Sequence, residues 1–335
     1  MAAIDGAGAA MTSPVIVVTE FAAGRIKPSS VEALSLAHRV AGDAGVVACV
    51  FGASDETSAL VDLGRWGVRE ALLAPVAAEL FPARLVRVLA SWATEVGARS
   101  VLLASGQIAA DIGPQLAARL NGVWIQDCCE LTVESSSDLT LLRPVYFGRL
   151  FERLSANTAQ QPLVIGLRAN AFPAATPSAG NCRARPWPAP AATDFGCVLQ
   201  QVRNTGTGPR SQELSAARVV VAGGSAMGSA ANFQILEELA EVLGGVVAAS
   251  RGAVDLCYAP HARQIGQTGK TVSPVLFVAC GISGAPQHLA GMRTSQYIVA
   301  INKDPHAPIF RHADIGWVGD LFTAVPLLTA RLRNA

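Results

Sequence analysis

Arg263 to Thr271 reads RQIGQTGKT, and its Gly-Lys-Thr ending has the residue types of a phosphate clamp: backbone amides around the anion and a lysine to neutralise it. Counting back from Gly269, the position that must hold the clamp's first glycine is Gln264. The context also differs, because CYAPHAR ahead of the loop is a poor strand and Pro274 follows in a segment leading into β-type sequence. Nucleoside-triphosphate hydrolysis is therefore excluded. GGSAMG, Gly223 to Gly228, likewise misses the Gly-x-Gly-x-x-Gly spacing, and tight packing alone accounts for such a turn. It still marks the carboxyl end of a strand, where open α/β sheets bind their ligands. GISGAPQHLAG, Gly281 to Gly291, is more informative: an apolar strand ends in small residues that let backbone amides approach a phosphate at a helix start. ASRGAVD and YIVAIN end two further strands on Arg251 and Asn302. Four strand ends carrying glycine or polar groups point to one extended ligand lying along a sheet edge.

The elements that must position these loops follow from periodicity. PVIVVTE is a short apolar run that reads as a buried strand, and SSVEALSLAHRVA after it reads as a helix, with Ser29 and Glu32 spaced as a capping box. Strands at VVACVFG, EALLAP and SVLLAS alternate with helices at ARLVRVLASWATEVG and IAADIGPQLAARLN. This βαβα order implies a parallel sheet covered by helices on both faces. From Phe172 to about Ser215 the texture changes to Pro173, Pro177, Pro186, Pro188 and Pro190, then RNTGTGPRSQE. A second unit opens with the strand ARVVVAGG and the helix NFQILEELAEVLGG, whose Phe233, Leu236, Leu239 and Leu243 share a face. Strands at VVAAS, VLFVACG and YIVAIN follow, and a closing helix at DLFTAVPLLTARL contains Pro326 as a candidate kink. The expected layout is a leader over 1–12, an α/β domain over 13–172, a Pro/Gly-rich linker over 173–215 and a second α/β domain over 216–335.

Composition narrows the function classes. The chain has 335 residues, 51% hydrophobic and 15% charged, with net charge +1. Its basic residues are scattered, so the electrostatic footprint of a nucleic-acid reader is missing. No apolar window reaches the ~18 residues needed to span a bilayer, so the protein is expected not to be membrane-inserted. MAAIDGAGAAMT lacks the basic and apolar regions of an export signal and reads as a flexible leader, which places the protein in the cytoplasm. Seven cysteines with no C-x-x-C pair read as small buried hydrophobes in a reducing compartment.

Taken together, SRGAVD, QIGQTGK, GISGAPQHLAGM, IVAINKDPHAPIF and ADIGWVGDLF resemble the α subunit of electron transfer flavoproteins, the FixB family. The likeness is dense over the last ~120 residues and looser before them, through VIVVTE, LRPVYFGRLF, LRANAF and ELSAARVVVAGG. The resemblance implies a Rossmann-like C-terminal domain that holds FAD and a heterodimer with a β subunit, which carries AMP or a second FAD. It also implies electrons taken from a flavin dehydrogenase and passed to an acceptor such as a membrane quinone reductase. The cofactor-binding positions it implies are Arg251, Ile265, Gly266, Gln267, Thr268, Ser283, Gly284, Ala285, Pro286, Gln287, His288, Asn302 and Asp320. Gly266, Gln267 and Thr268 would form a wall of the flavin site, with the Thr268 hydroxyl near N5. Arg251 would lie over the ring and His288 near its O2, both favouring negative charge there. Ser283, Gly284, Ala285 and Gln287 would follow the ribityl and pyrophosphate, and Asn302 and Asp320 the ribityl and adenosine parts. Asn302 and Asp320 read equally as a loop bracket and a helix cap, and Arg251 as one half of a surface ion pair.

The chain departs from the family pattern where Ser225 replaces a common arginine, where Pro286 replaces Ile or Val, and at Cys257, which replaces a small residue. Ser225 removes a positive charge and Pro286 a backbone donor. A degenerate assembly or binding subunit without redox activity therefore stands as the alternative. A dehydrogenase with its own substrate is disfavoured, because no acid–base pair accompanies the loops.

Overall fold

The computed structural model describes residues 9–22, 24–53, 55–74, 82–146, 148–188 and 214–334. Two compact units divide the chain: Met1–Val145 with Phe151–Arg203, and Tyr146–Leu150 with Asn204–Ala335.

The first unit runs β1 (Val15–Ala22), β2 (Arg25–Ile26), α1 (Pro28–Ala41), β3 (Val46–Phe51), α2 (Glu56–Arg65), β4 (Val68–Leu73), α3 (Pro82–Val96), β5 (Ser100–Leu103) and α4 (Gln107–Arg119). It continues through β6 (Val123–Cys128), β7 (Glu130–Val133), β8 (Asp138–Val145), β9 (Leu150–Asn157), β10 (Leu163–Leu167) and β11 (Arg183–Arg185). Its main sheet has the order β11-β4-β3-β1-β5-β10-β6, and these neighbours pair in parallel. The antiparallel β2 joins β1. The central position of β1 explains its unbroken apolar run: Val15 and Val17 enter one core, Ile16 and Val18 the other, and all four are buried. Each such side chain contributes roughly 1.5–3 kcal/mol by leaving water. Leu34 and Ala37 of α1 cover the first face, while Leu89 of α3 and Leu116 of α4 cover the second.

The structure corrects several local expectations here. Helix α1 begins with Pro28 in its first turn and Lys27 as the cap residue, so Ser29 lies inside the helix and forms no capping box with Glu32. Residues 1–8 of the expected leader lie outside the described residues, but Met11 is buried and its N–H donates to Val40 O at 2.8 Å. The expected linker is only partly described. Its described part is bound to the first unit: β11 pairs with β4, Ser178 N–H donates to Arg65 O at 2.8 Å, and Arg185 pairs with Glu70 and Glu95. Residues 189–213, including most of RNTGTGPRSQE, lie outside the described residues. The strands β7, β8 and β9 form a separate three-stranded sheet, with β7 and β8 antiparallel.

The second unit runs β12 (Val219–Gly223), α5 (Gln234–Val242), β13 (Val246–Ser250), α6 (Arg251–Asp255), β14 (Gln264–Ile265), β15 (Leu276–Cys280), α7 (Pro286–Leu289), β16 (Tyr297–Asn302), β17 (Ile315–Val318) and α8 (Leu321–Arg333). Six parallel strands are ordered β14-β13-β12-β15-β16-β17. Leu236 and Leu239 of α5 and Val325 of α8 pack on one face, whereas Leu289 of α7 and Ile309 pack on the other. Helix α8 runs through Pro326 without interruption.

Of the six described cysteines none is paired; Cys49, Cys128 and Cys280 are buried, but Cys257 is exposed and takes φ of +59°. The buried-hydrophobe reading therefore fails for Cys257. No helix among the described residues is long and apolar enough to cross a membrane.

Candidate functional site

The strand order of the second unit reverses between β12 and β15. The chain leaves β12 toward α5 on one face and leaves β15 toward α7 on the other, so the two departing loops diverge at the carboxyl ends. A crevice of this kind is where open α/β sheets bind extended ligands. Its floor is backbone against backbone. A Cβ on Gly224 would stand 1.9 Å from Gly281 O, and Gly224 N–H donates to Cys280 O at 2.9 Å. Only glycine fits, which accounts for the paired glycines ending β12.

The loop after β15 then exposes its amides. Gly284 has φ of +86°, and a Cβ there would meet Ile309 N at 2.5 Å. Ile309 N–H in turn donates to Ser283 O at 3.0 Å and fixes the loop from behind. The N–H groups of Ser283, Gly284, Ala285 and Gln287 donate to nothing among the described residues, nor do those of Ser225 and Ala226 across the crevice. Pro286 occupies the first turn of α7, where an N–H has no intrahelical partner in any case. Its missing donor leaves the cradle's other amides in place.

QIGQTGK forms a second wall. Ile265 pairs with Ser250 and is 1% exposed, so its side chain belongs to the core and its backbone aligns Gly266 beside the end of β13. Gly266 has φ of +137°, and a Cβ would meet Gln287 O at 2.8 Å. Gln267 N–H donates to that same carbonyl at 2.8 Å, tying the two loops together. The side chains of Gln267 and Thr268 stay exposed. Gln264, at the position where a phosphate clamp needs glycine, is 3% exposed; its Nε2 donates to Thr268 Oγ1 at 2.9 Å and orients that hydroxyl. Lys270 follows the turn and bridges back to Ile265, its N–H donating to Gln264 O at 2.8 Å, and the chain then leads to β15 with no helix for a phosphate clamp to open.

Arg251 begins α6, directly after Ser250, whose Oγ accepts from Ala253 N. That serine is a cap the sequence signalled through its position before RGAVD. The guanidinium Nε pairs with Asp255 at 3.3 Å, with both side chains more than half exposed. Such an ion pair is worth at most about 1 kcal/mol and gives way readily to a better partner. His288 is the opposite case: 6% exposed, with neither ring nitrogen hydrogen-bonded, and its ring 6.0 Å from that of Phe277. Burial pushes its pKa down to about 4, against a slight upward influence of the Ile265 backbone, which lies nearby without completing a hydrogen bond. The ring is therefore neutral at neutral pH. An unpartnered buried donor and acceptor cost about 1–3 kcal/mol each, a cost that a polar ligand would offset.

Asn302 and Asp320 are engaged structurally. Asn302 Nδ2 donates to Ile282 O at 3.0 Å, and its Oδ1 accepts from Asp304 N at 3.0 Å, so the side chain brackets the loops after β15 and β16. Asp320 caps α8, its Oδ1 accepting from Phe322 N at 3.1 Å, and its other carboxylate oxygen has no partner among the described residues. Of the positions expected from the resemblance, Arg251, Gln267, Thr268, Ser283, Ala285, Pro286, Gln287 and Asp320 are exposed along the carboxyl ends of the strands. Gly266, Gly284 and His288 are buried in the walls, Asn302 is half-buried, and Ile265 lies behind them in the core. No group of His, Cys, Asp and Glu side chains able to hold a metal exists among the described residues.

These features fit an extended anionic ligand such as a dinucleotide: glycines that admit close backbone approach, amides without partners among the described residues, and a buried imidazole with both nitrogens unpartnered. Comparison with known proteins agrees. Residues 213–293 match the family model described as the electron transfer flavoprotein FAD-binding domain, and residues 15–192 match the electron transfer flavoprotein domain. The chain is 38% identical over 328 residues to the electron transfer flavoprotein subunit alpha of Bacillus subtilis, covering 97% of this chain and 98% of that one. The corresponding subunit of Mycobacterium leprae is 40% identical over 318 residues, covering 94% and 96%. Protein FixB of Clostridium saccharobutylicum is 35% identical over 325 residues, covering 96% of each. With both halves matched and relatives aligned over nearly their full length, the chain belongs to the electron transfer flavoprotein α-subunit family.

Proposed function

We propose that this chain holds FAD along the carboxyl ends of its second sheet, pairs with an electron transfer flavoprotein β subunit, and carries electrons from a flavin dehydrogenase to an acceptor such as a membrane quinone reductase. AMP or a second FAD belongs to the β subunit in this reading, and the unpaired cysteines suit a cytoplasmic setting. The observation that carries it is the crevice between β12 and β15, where glycine-only backbone contacts and unpartnered amides converge. When bound, FAD supplies the redox chemistry.

The chain's own residues hold the cofactor and set its electronics. The amides of Ser283, Gly284, Ala285 and Gln287 cradle the pyrophosphate, as anions are held by free N–H groups. Arg251 supplies a fixed positive charge at the ring edge, and leaves Asp255 at little cost to do so. Neutral His288 offers one N–H to the ring's carbonyl side; this favours negative charge there without itself changing charge near neutral pH. Gln264 holds the Thr268 hydroxyl toward the site. None of these groups is arranged to take a proton from an organic substrate, which suits a carrier that meets its substrates as other flavoproteins.

The alternative of a cofactor-free assembly subunit rests on Ser225 and Pro286. Pro286 at the first turn of α7 costs the cradle little, which favours the redox reading. The test is anaerobic addition of a flavin dehydrogenase and its substrate to the FAD-loaded αβ complex. The visible flavin band of the complex is expected to bleach when the dehydrogenase is present and to persist with the dehydrogenase's substrate alone. A band that persists with every dehydrogenase encoded beside the subunit genes would contradict electron carriage.

A further inference from the structure

Trp317 was part of the family-like stretch ADIGWVGDLF but was given no role, and it is the only exposed one of the five tryptophans, with 58% of its surface open. We propose that its indole is the stacking platform for the adenine ring of the dinucleotide; the proposal rests on the FAD reading above and locates the far end of the ligand.

Topology sets the place. The ring-end residues Arg251, Gly266, Gln267 and Thr268 follow β13 and β14, and the pyrophosphate cradle follows β15. A dinucleotide has its pyrophosphate between its two ends, so the adenosine must run on past β16 to β17, two strand spacings or about 10 Å further. Trp317 stands there, opposite Ile301 in the parallel register and one residue before the end of β17.

Local packing prepares the indole for that use. A Cβ on Gly319 would lie 2.8 Å from Trp317 Nε1 and 3.2 Å from its Cδ1, so the pyrrole edge rests on the bare backbone of Gly319 while most of the ring surface faces solvent. Beside it, Leu321 N–H at the start of the 13-residue α8 donates to nothing among the described residues. The second carboxylate oxygen of Asp320 also has no partner among the described residues, so an acceptor and a donor suited to ribose hydroxyls follow Trp317 by three and four residues in the chain. A large aromatic left in water at the edge of a sheet loses the burial that normally repays its size, and a planar base restores it.

The experiment compares FAD with FMN, which has the flavin and one phosphate but no adenine, on the flavin-free αβ complex. Dissociation constants are read by flavin fluorescence for the wild type, Trp317→Ala, Trp317→Phe and Gly319→Ala, with thermal midpoints as a check on folding. In Trp317→Ala, FAD affinity is expected to fall on the order of 10-fold, the scale of one base stacked on an aromatic ring. FMN affinity is expected to stay unchanged, Trp317→Phe to recover most of the loss, and Gly319→Ala to weaken FAD alone by displacing the indole. Unchanged FAD affinity in Trp317→Ala overturns the proposal and leaves the FAD reading intact. Equal loss for FAD and FMN also overturns it, since the indole would then serve the flavin or the fold. A wild-type complex that binds neither would overturn the FAD reading itself and this proposal with it.

Discussion

His288 shows how one buried side chain links the site to stability. Its ordinary pKa near 6.5 falls to about 4 because the ring is removed from water with no partner for either nitrogen. The unfolded chain therefore binds more protons than the folded one between those values, and stability falls as pH drops from about 6.5 toward 4. The loss is roughly 3 kcal/mol once both states are past their titrations, and above about pH 6.5 it vanishes. In urea unfolding of the flavin-free protein, His288→Asn is expected to lessen the decline between neutral and acid pH by about that amount; identical declines in wild type and variant would contradict the assignment. At this scale the sequence was informative about residue type and poor about duty. Arg251, Gln267 and Thr268 were legible as polar groups at strand ends, and the structure leaves all three exposed there. The hydrogen bonds of Asn302 were legible only as one of two readings, because a side-chain amide that brackets a loop looks in sequence like one that binds a ligand. Gln264 went unrecognised since its use, orienting Thr268 from inside the core, depends on a fold across the loop.

The loops act as elements because glycine positions let them interlock. Gly284→Ala combines a strained left-handed φ with a collision against Ile309 N, whereas Gly244 has φ of +63° and open space around it. Gly244→Ala is therefore expected to cost about 1 kcal/mol and keep its flavin, while Gly284→Ala costs about 2 kcal/mol or more and loses flavin on gel filtration. Equal flavin retention in the two would show that the cradle does not depend on the close approach at Gly284. The same scale shows which elements sequence patterns reach. Although the fully buried β10 was not singled out, mostly buried parallel strands such as β1, β12 and β15 announce themselves as apolar runs between turn signals. Strand β17 did not, since all four of its residues are exposed and no burial pattern marks it. The β7–β9 sheet was missed although Leu131 and Val133 of β7 and Leu139 and Leu141 of β8 alternate as a half-buried strand should, and only Pro144 inside β8 argues against a strand; β11 was missed because three exposed or half-buried residues resemble a linker. Helix α1 ends where expected but starts earlier, with Pro28 in its first turn and Lys27 at the cap in place of the Ser-x-x-Glu box.

For the whole molecule, the two α/β units divide the work unequally. The second contains every position expected to meet the cofactor, and its strand order creates the crevice that those positions line. The first is an open parallel sheet, edged by β11 and β6, with cores on both faces, and none of the positions expected to meet the cofactor lies in it. The sequence points the same way, since most of the glycine-rich and polar strand ends lie after residue 245 and the family likeness there is dense. The segment between the units was not, because a proline-rich stretch strapped to a sheet edge has the same composition as a free tether. FAD binding by the second unit despite Ser225 and Pro286 is the proposal on which the others depend. It is tested most directly by the visible absorption spectrum of the chain purified with its β subunit, before and after incubation with FAD and gel filtration. A flavin band is expected to co-elute with the complex and to be lost in Gly284→Ala. A folded αβ complex that stays colourless and takes up no added FAD would contradict it.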